Sequence, residues 1–202
     1  MTGVKKPAVG RPRGFDADEA LRRALLVFWE KGYEGAALTD LTDAMGITRT
    51  SMYAAFGNKE QLFRKALELY TEGPAAYGER ALAEPTARAV ATAFLDGAVR
   101  TTTGPDSPAG CLGVQGALAS GDAGRPIHDA LAQWRTAAEE RLAQRFQRAV
   151  DEHDLPPEAE PRRLARYLMT LANGIAVQAA GGASRSELQE IADMALRHWP
   201  PI

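Results

Sequence analysis

Lysine is absent beyond residue 65: all five (Lys5, Lys6, Lys31, Lys59 and Lys65) lie in the first third of this 202-residue chain. There is one cysteine, Cys111, which excludes an intrachain disulfide framework and fits a reducing compartment. No run of about 18 apolar residues occurs, so a membrane span is not expected. The opening MTGVKKPAVGRPRGFD is polar and basic, without an apolar stretch of signal-peptide type. A cytoplasmic location follows. His128, His153 and His198 are scattered without paired ligand spacing, so no metal site is expected. A Gly-rich phosphate loop and a nucleophile motif are also missing, which leaves no cofactor and no enzymatic chemistry to assign. Acidic pairs such as Glu139-Glu140 read as the solvated face of a helix. No alternating strand and no internal repeat is found.

What is present is ordinary globular material, 45% hydrophobic and 25% charged, with enough chain for a sizeable core. The net charge of −2 hides a division. Residues 1 to 65 hold 11 basic and 8 acidic side chains, whereas the remainder holds 13 and 18. A basic front on an acidic remainder suggests that the front meets a polyanion.

Helix signals fill the chain. Asp16 can cap a first helix, with Glu19 placed for a capping box and Phe15 for a staple onto the first turn. Leu21, Ala24, Leu25 and Phe28 then form one apolar stripe, and Gly32 offers a left-handed C-cap. A short helix over Leu38 to Met45 ends at Gly46. Another runs from Arg49 to Ala55 behind a Thr48 cap. Phe56-Gly57 breaks it, and Asn58 with Gln61 starts a fourth, which Gly73-Pro74 interrupts. Further helices begin at Pro85 (Val90, Phe94, Ala98), at Pro126 (Ile127, Leu131, Trp134, Ala138, Leu142, Phe146, Val150), at Pro161 and at Ser184 with Glu187. Thr103 to Gly110 reads as a loop, and CLGVQGALAS as a short helical segment. About nine helices result, an all-α chain with a basic arm over 1–14, a small helical head over 15–60 and a larger helical body over 61–202.

Leu38 to Ala55 has the layout of a helix-turn-helix. Leu41 and Met45 face inward, Gly46 makes the turn, and Ile47 and Met52 close a small core. Such a unit projects one short helix outward, the shape that enters a DNA major groove about 12 Å wide. The projected helix carries hydrogen-bonding groups suited to that use. Arg49 can donate twice to a guanine edge, Thr48, Thr50 and Ser51 can meet bases or phosphates, and Tyr53 can reach a phosphate. Thr39 joins this set, and Lys59 adds charge beside helix-terminal amides. Arg11 and Arg13 fit either a minor-groove arm or a solubilising tail.

GFDADEALRRALLVFWEKGYEGAALTDLTDAMGITRTSMYAAFGNKEQLF resembles the DNA-binding domain of the TetR family of bacterial transcriptional regulators. The Phe-Trp-Glu-Lys-Gly-Tyr run, the Met-Gly-Ile turn, Met52-Tyr53, Phe56 and Asn58-Lys59-Glu60 carry the resemblance over roughly the first 65 residues. It implies an all-helical homodimer whose third helix reads operator DNA. Positions matching Tyr53 and Lys59 would touch the backbone, and the larger domain would receive a small-molecule signal. One departure is Ala37, where the family has a Ser or Thr cap; losing a cap costs about 1 kcal/mol, which Thr39 or a neighbour would offset.

The body poses a harder problem. Leu164, Leu168, Leu171 and Ile175 could pair with Leu188, Ile191, Ala195 and Leu196 across a two-fold axis, or could simply be intrachain core. Phe94, Cys111, Val114, Trp134, Met169 and Asn173 could line an effector pocket, or again be core. Gly113 and Gly116 allow either close packing or ligand space. Cys111 could sense something or be an inert buried thiol. The functional expectation is therefore a repressor released from its operator by an unknown small molecule. A ligand-independent DNA-binding dimer and an activator are the alternatives, and a helical enzyme is the remote one.

Overall fold

The first helix, α1 (Ala17–Gly35), starts where expected, because the Asp16 carboxylate accepts from the amides of Asp18 and Glu19 at 2.9 and 3.2 Å. The computed structural model describes residues 14–115 and 124–200. Glu19 does not close a capping box; it is held by Arg22 and Arg23 one turn on. Phe15 packs against the head core, its ring 6.4 Å from that of Phe56 between centroids. At Gly32 the backbone turns to φ 69° and kinks the helix end, a conformation glycine adopts without a Cβ penalty.

Next come α2 (Leu38–Met45), α3 (Arg49–Phe56) and α4 (Lys59–Glu72). Gly46 at φ 67° turns α2 into α3. The Thr48 hydroxyl caps α3 on the Ser51 amide at 3.2 Å, and Asn58 and Gln61 close a reciprocal box at the start of α4. Leu41, Met52, Leu62 and Phe63 are fully buried between these helices, and Met45 nearly so; Ile47 packs against them half-buried. Full burial of each such side chain contributes about 1.5–3 kcal/mol.

Gly73-Pro74 ends α4, and a 3₁₀ turn (Pro74–Ala76) leads into α5 (Tyr77–Leu82). The body continues with α6 (Ala87–Thr102), α7 (Leu112–Gln115), α8 (Arg125–Asp151), α9 (Pro161–Ala180) and α10 (Arg185–Arg197). Thus the described residues form nine helices of six or more residues and one four-residue helical turn. At 27 residues, α8 is about 40 Å long and spans the body. Glu139 and Glu140 are not merely solvated, since they pair with Arg166 and Arg162 and lace α8 to α9.

Two apolar clusters result among the described residues. One fills the body between α6, α8, α9 and α10. The other belongs to the head but does not stop at residue 60. It runs along α4 to Tyr70 and takes in Leu112, Ile127 and Leu131 of the body. The packing seam therefore lies inside what the sequence pattern assigns to the body. Trp29 marks it: its indole donates to the Gly110 carbonyl at 3.1 Å, and its ring meets Tyr70 edge-on at 4.8 Å.

Candidate nucleic-acid interface and effector cavity

Three hydrogen-bonding side chains of α3 stand free of the head core. Arg49 and Thr50 are exposed and Tyr53 is 41% exposed, because Met52 and Phe56 turn the opposite face inward. Arg49 lies one turn from Tyr53, with its guanidinium 3.3 Å from the phenol oxygen and 5.7 Å from the ring centroid. The pairing holds an exposed cation over a flat ring that also offers a hydroxyl. Thr48 and Ser51 are partly committed locally, with the Thr48 hydroxyl donating to Ser51 Oγ at 3.0 Å.

Thr39 is exposed at the start of α2. It does not replace the missing cap at Ala37. Asp40 does part of that work, accepting from the Ala37 amide at 3.1 Å. The Asp40 carboxylate is also paired with Lys31 at 3.0 Å, which holds its pKa below the usual range. Lys31 is thus a cation on this rim that the helix-turn-helix pattern did not single out; the only cue was its place in the Phe-Trp-Glu-Lys-Gly-Tyr run. Lys59 is half-buried, with Nζ 4.6 Å from the centre of the Tyr33 ring. Desolvation lowers its pKa, against the pull of Glu34 and Asp40. Arg11 and Arg13 lie outside the described residues.

The body encloses a cavity of about 60 Å³. Phe94, Cys111, Trp134, Met169 and Asn173 all line it; Val114 does not and is instead buried on α7. Tyr77, Thr71, Thr102, Glu79 and Arg141 complete the wall without having been foreseen. Tyr77 carries only the weak cue of following the Gly73-Pro74 break. Its ring lies against α6 at Gly97, and the ring of Trp134 lies against α7 at Gly113; a Cβ at either glycine would overlap the ring. Gly113 therefore serves close packing, while Gly116 lies outside the described residues.

The head and the cavity share a wall. Tyr70, in the head cluster, donates its hydroxyl to Cys111 Sγ at 3.2 Å. Thr71, the next residue of α4, accepts from the Trp134 indole at 2.9 Å. Burial pushes the Cys111 thiol above its usual pKa, partly countered by the Tyr70 bond. No group of three or more potential metal ligands occurs among the described residues.

Most of the residues expected at a dimer contact are buried within the single chain. Leu164, Leu168, Ile175, Leu188, Ala195 and Leu196 are at most 8% exposed within the single chain, so they are already used in its core. Leu171 packs against that core from its edge. Of the eight, only Ile191 is exposed, at 43%. The strongest apolar stripe on each helix is the one that faces the chain's own core. The exposed stripe is offset from it: Gly174 and Val177 on α9, Ile191 and Met194 on α10.

Comparison with known proteins decides the family. The model for "Bacterial regulatory proteins, tetR family" matches residues 20–66, and that for "Tetracyclin repressor-like, C-terminal domain" matches residues 88–194. This chain belongs to the TetR family. It is a DNA-binding transcriptional regulator and not an enzyme. The HTH-type transcriptional repressor ComR of Escherichia coli K12 is 33% identical over all of this chain and 97% of its own length. The repressor BdcR from the same organism is 37% identical over 70 residues, 35% of this chain and 36% of its own. Among solved structures, a cysteine mutant of the TetR family regulator CifR, complexed with 26-bp operator DNA, superposes with a TM-score of 0.90 at 39% identity. That match covers 94% of this chain and 100% of CifR. No described helix of the TetR-family chain is long and apolar enough to cross a membrane.

Proposed function

We propose that this regulator is a cytoplasmic repressor that binds its operator as a homodimer and leaves it when a small molecule occupies the body cavity. In this reading α3 lies in the major groove. Arg49 donates to a guanine edge, while Thr50 and Tyr53 meet bases or phosphates beside it. Thr39, Thr48, Ser51, Lys31 and Lys59 border the phosphate backbone, and Arg11 and Arg13 reach towards the minor groove. Two copies pair through Gly174, Val177, Ile191 and Met194, which leaves both recognition helices on one DNA face. The repressor name carried by the full-length relative ComR supports the sign of regulation.

The observation that carries ligand release is the shared wall. Thr71 and Cys111 line the cavity, and the Tyr70–Cys111 and Thr71–Trp134 bonds tie it to α4, which continues into the head core. A molecule that binds better to one arrangement of this wall shifts the population towards it. The shift moves α4 and with it the separation of the two α3 helices.

The test is a pulsed electron-resonance distance between spin labels at Ala54→Cys on the two protomers, with the buried Cys111 thiol left in place. Compounds are first screened for release of operator. The distance should depart by several ångströms from the roughly 34 Å that successive major grooves require. An unchanged distance with a releasing compound would overturn this mechanism.

A further inference from the structure

The cavity wall has a definite chemical bias, most of it set by which hydrogen-bond donors are already spent. Thr71 donates to the Leu67 carbonyl at 2.7 Å and Thr102 to the Ala98 carbonyl at 2.8 Å, each within its own helix. The Trp134 indole is taken by Thr71, and the Tyr70 hydroxyl by Cys111. Two lining groups remain without a partner among the described residues, the Tyr77 phenol and the Asn173 amide. Formal charge is also cancelled. Glu79 and Arg141, the lining ions, bind each other at 2.7 Å, and both are about half exposed, at the rim. The rest of the wall is Phe94, the Trp134 ring, Met169, Gly78, four alanines and the Cys111 thiol that accepts from Tyr70.

We infer that the effector is a compact, uncharged, largely apolar molecule with one hydrogen-bond acceptor, seated with that acceptor on the Tyr77 hydroxyl and the Asn173 amide. The inference rests on the ligand-release reading above and narrows it. An ion would enter a wall with no unpaired opposite charge among its described residues, at the desolvation cost that buried charges incur. A pure hydrocarbon would leave the phenol unpaired, which wastes a hydrogen bond of ordinary strength. Size sets the remaining limit: an apolar cavity of about 150 Å³ accepts benzene, so 60 Å³ suits a molecule of fewer atoms unless the wall moves. Burial pushes the Tyr77 hydroxyl above its usual pKa, so it stays a donor throughout the neutral range. Its place matters for signalling, since Cys111 is close enough to raise that pKa further. A ligand held by Tyr77 therefore sits beside the Tyr70–Cys111 contact that joins body to head.

The test follows the Met169 methyl resonance of the full-length protein, assigned with Met169→Leu, against four probes: xenon, butanone, butyrate and butylammonium. Xenon and butanone should shift the resonance saturably. The two ions should bind at least about tenfold more weakly than butanone. Tyr77→Phe keeps the ring that packs on Gly97 and should weaken butanone about fivefold while leaving xenon unchanged. If either ion binds as well as butanone, or Tyr77→Phe leaves butanone unaffected, the assigned ligand class is wrong although the cavity remains a binding site. If neither xenon nor butanone moves the resonance, the cavity does not admit ligands and the release reading itself fails.

Discussion

Among large apolar side chains of the described head, Leu26 and Tyr53 alone exceed two-fifths exposure, whereas the body leaves Val177, Ile191 and Met194 outside and a cavity within. The head spends its apolar residues on a single task. Phe63 meets Phe28 and Tyr33 edge-on at 5.0 and 5.4 Å, those two rings lie near-parallel at 6.3 Å, and Trp29 seals the joint below them. Its functional groups are of a different chemical kind, polar and outward-facing. The body gives apolar residues three tasks at once: filling a core, lining a cavity and presenting an outer face. Position on a helix, not residue type, separates the three. A chain built this way holds the exposed face of α3 on a filled core and leaves open space only in the body.

Charging the outer face of the body should produce the largest effect. Val177→Glu with Met194→Glu would bury two unpaired carboxylates in the proposed dimer contact, each costing about 3–5 kcal/mol. Sedimentation should show a folded monomer with operator affinity reduced more than a hundredfold; a persistent dimer would place the interface elsewhere. Next in size is a core comparison by urea unfolding. Phe63→Ala should cost about 3–5 kcal/mol and Met169→Ala about 2 kcal/mol, since one side chain is fully enclosed and the other borders open space. Equal losses would erase the distinction between a stiff head and an adaptable body.

A smaller effect is expected at Gly113. The added methyl of Gly113→Ala must displace the Trp134 ring, an overpacking cost of about 1–3 kcal/mol. Operator affinity should survive while response to a releasing compound is lost. Last is the thiol. Because burial raises the Cys111 pKa, less thiolate is present at a given pH than in the unfolded chain. Alkylation by iodoacetamide at pH 8 should therefore run at least about tenfold slower in the folded protein than in urea, and it should accelerate as pH rises. Fast labelling of the native protein would mean that the joint opens readily.

The same contrast governs what could be read from the sequence. The helix starts at Asp16, Thr48, Asn58 and Ser184 were legible because capping is local chemistry, and the structure has all four. The turn at Gly46 was legible for the same reason. The exposed part of α3 was legible because Met52 and Phe56 fix which face is inward. Of the six residues the sequence offers for a cavity, five line it, yet the sequence does not single out Tyr77. Its role depends on Gly97 from a different helix, and no local pattern links the two. The residues expected at the dimer contact mostly lie in the chain's own core for a related reason. Periodicity finds the most apolar stripe, which in α9 and α10 is the stripe the chain buries for itself. Lys59 shows a third limit, since its docking on Tyr33 is a tertiary contact between α1 and α4.

The most direct test of the operator face is binding to genomic fragments selected by the protein, followed by anisotropy across a salt series for the native chain and for Arg49→Ala. Selective binding that weakens with salt is predicted. Arg49→Ala should lose about 1–3 kcal/mol, roughly a 5- to 150-fold drop, on the selected sequence and much less on unrelated DNA. If Arg49→Ala binds the selected sequence as well as the native protein does, the exposed face of α3 is not what reads the operator.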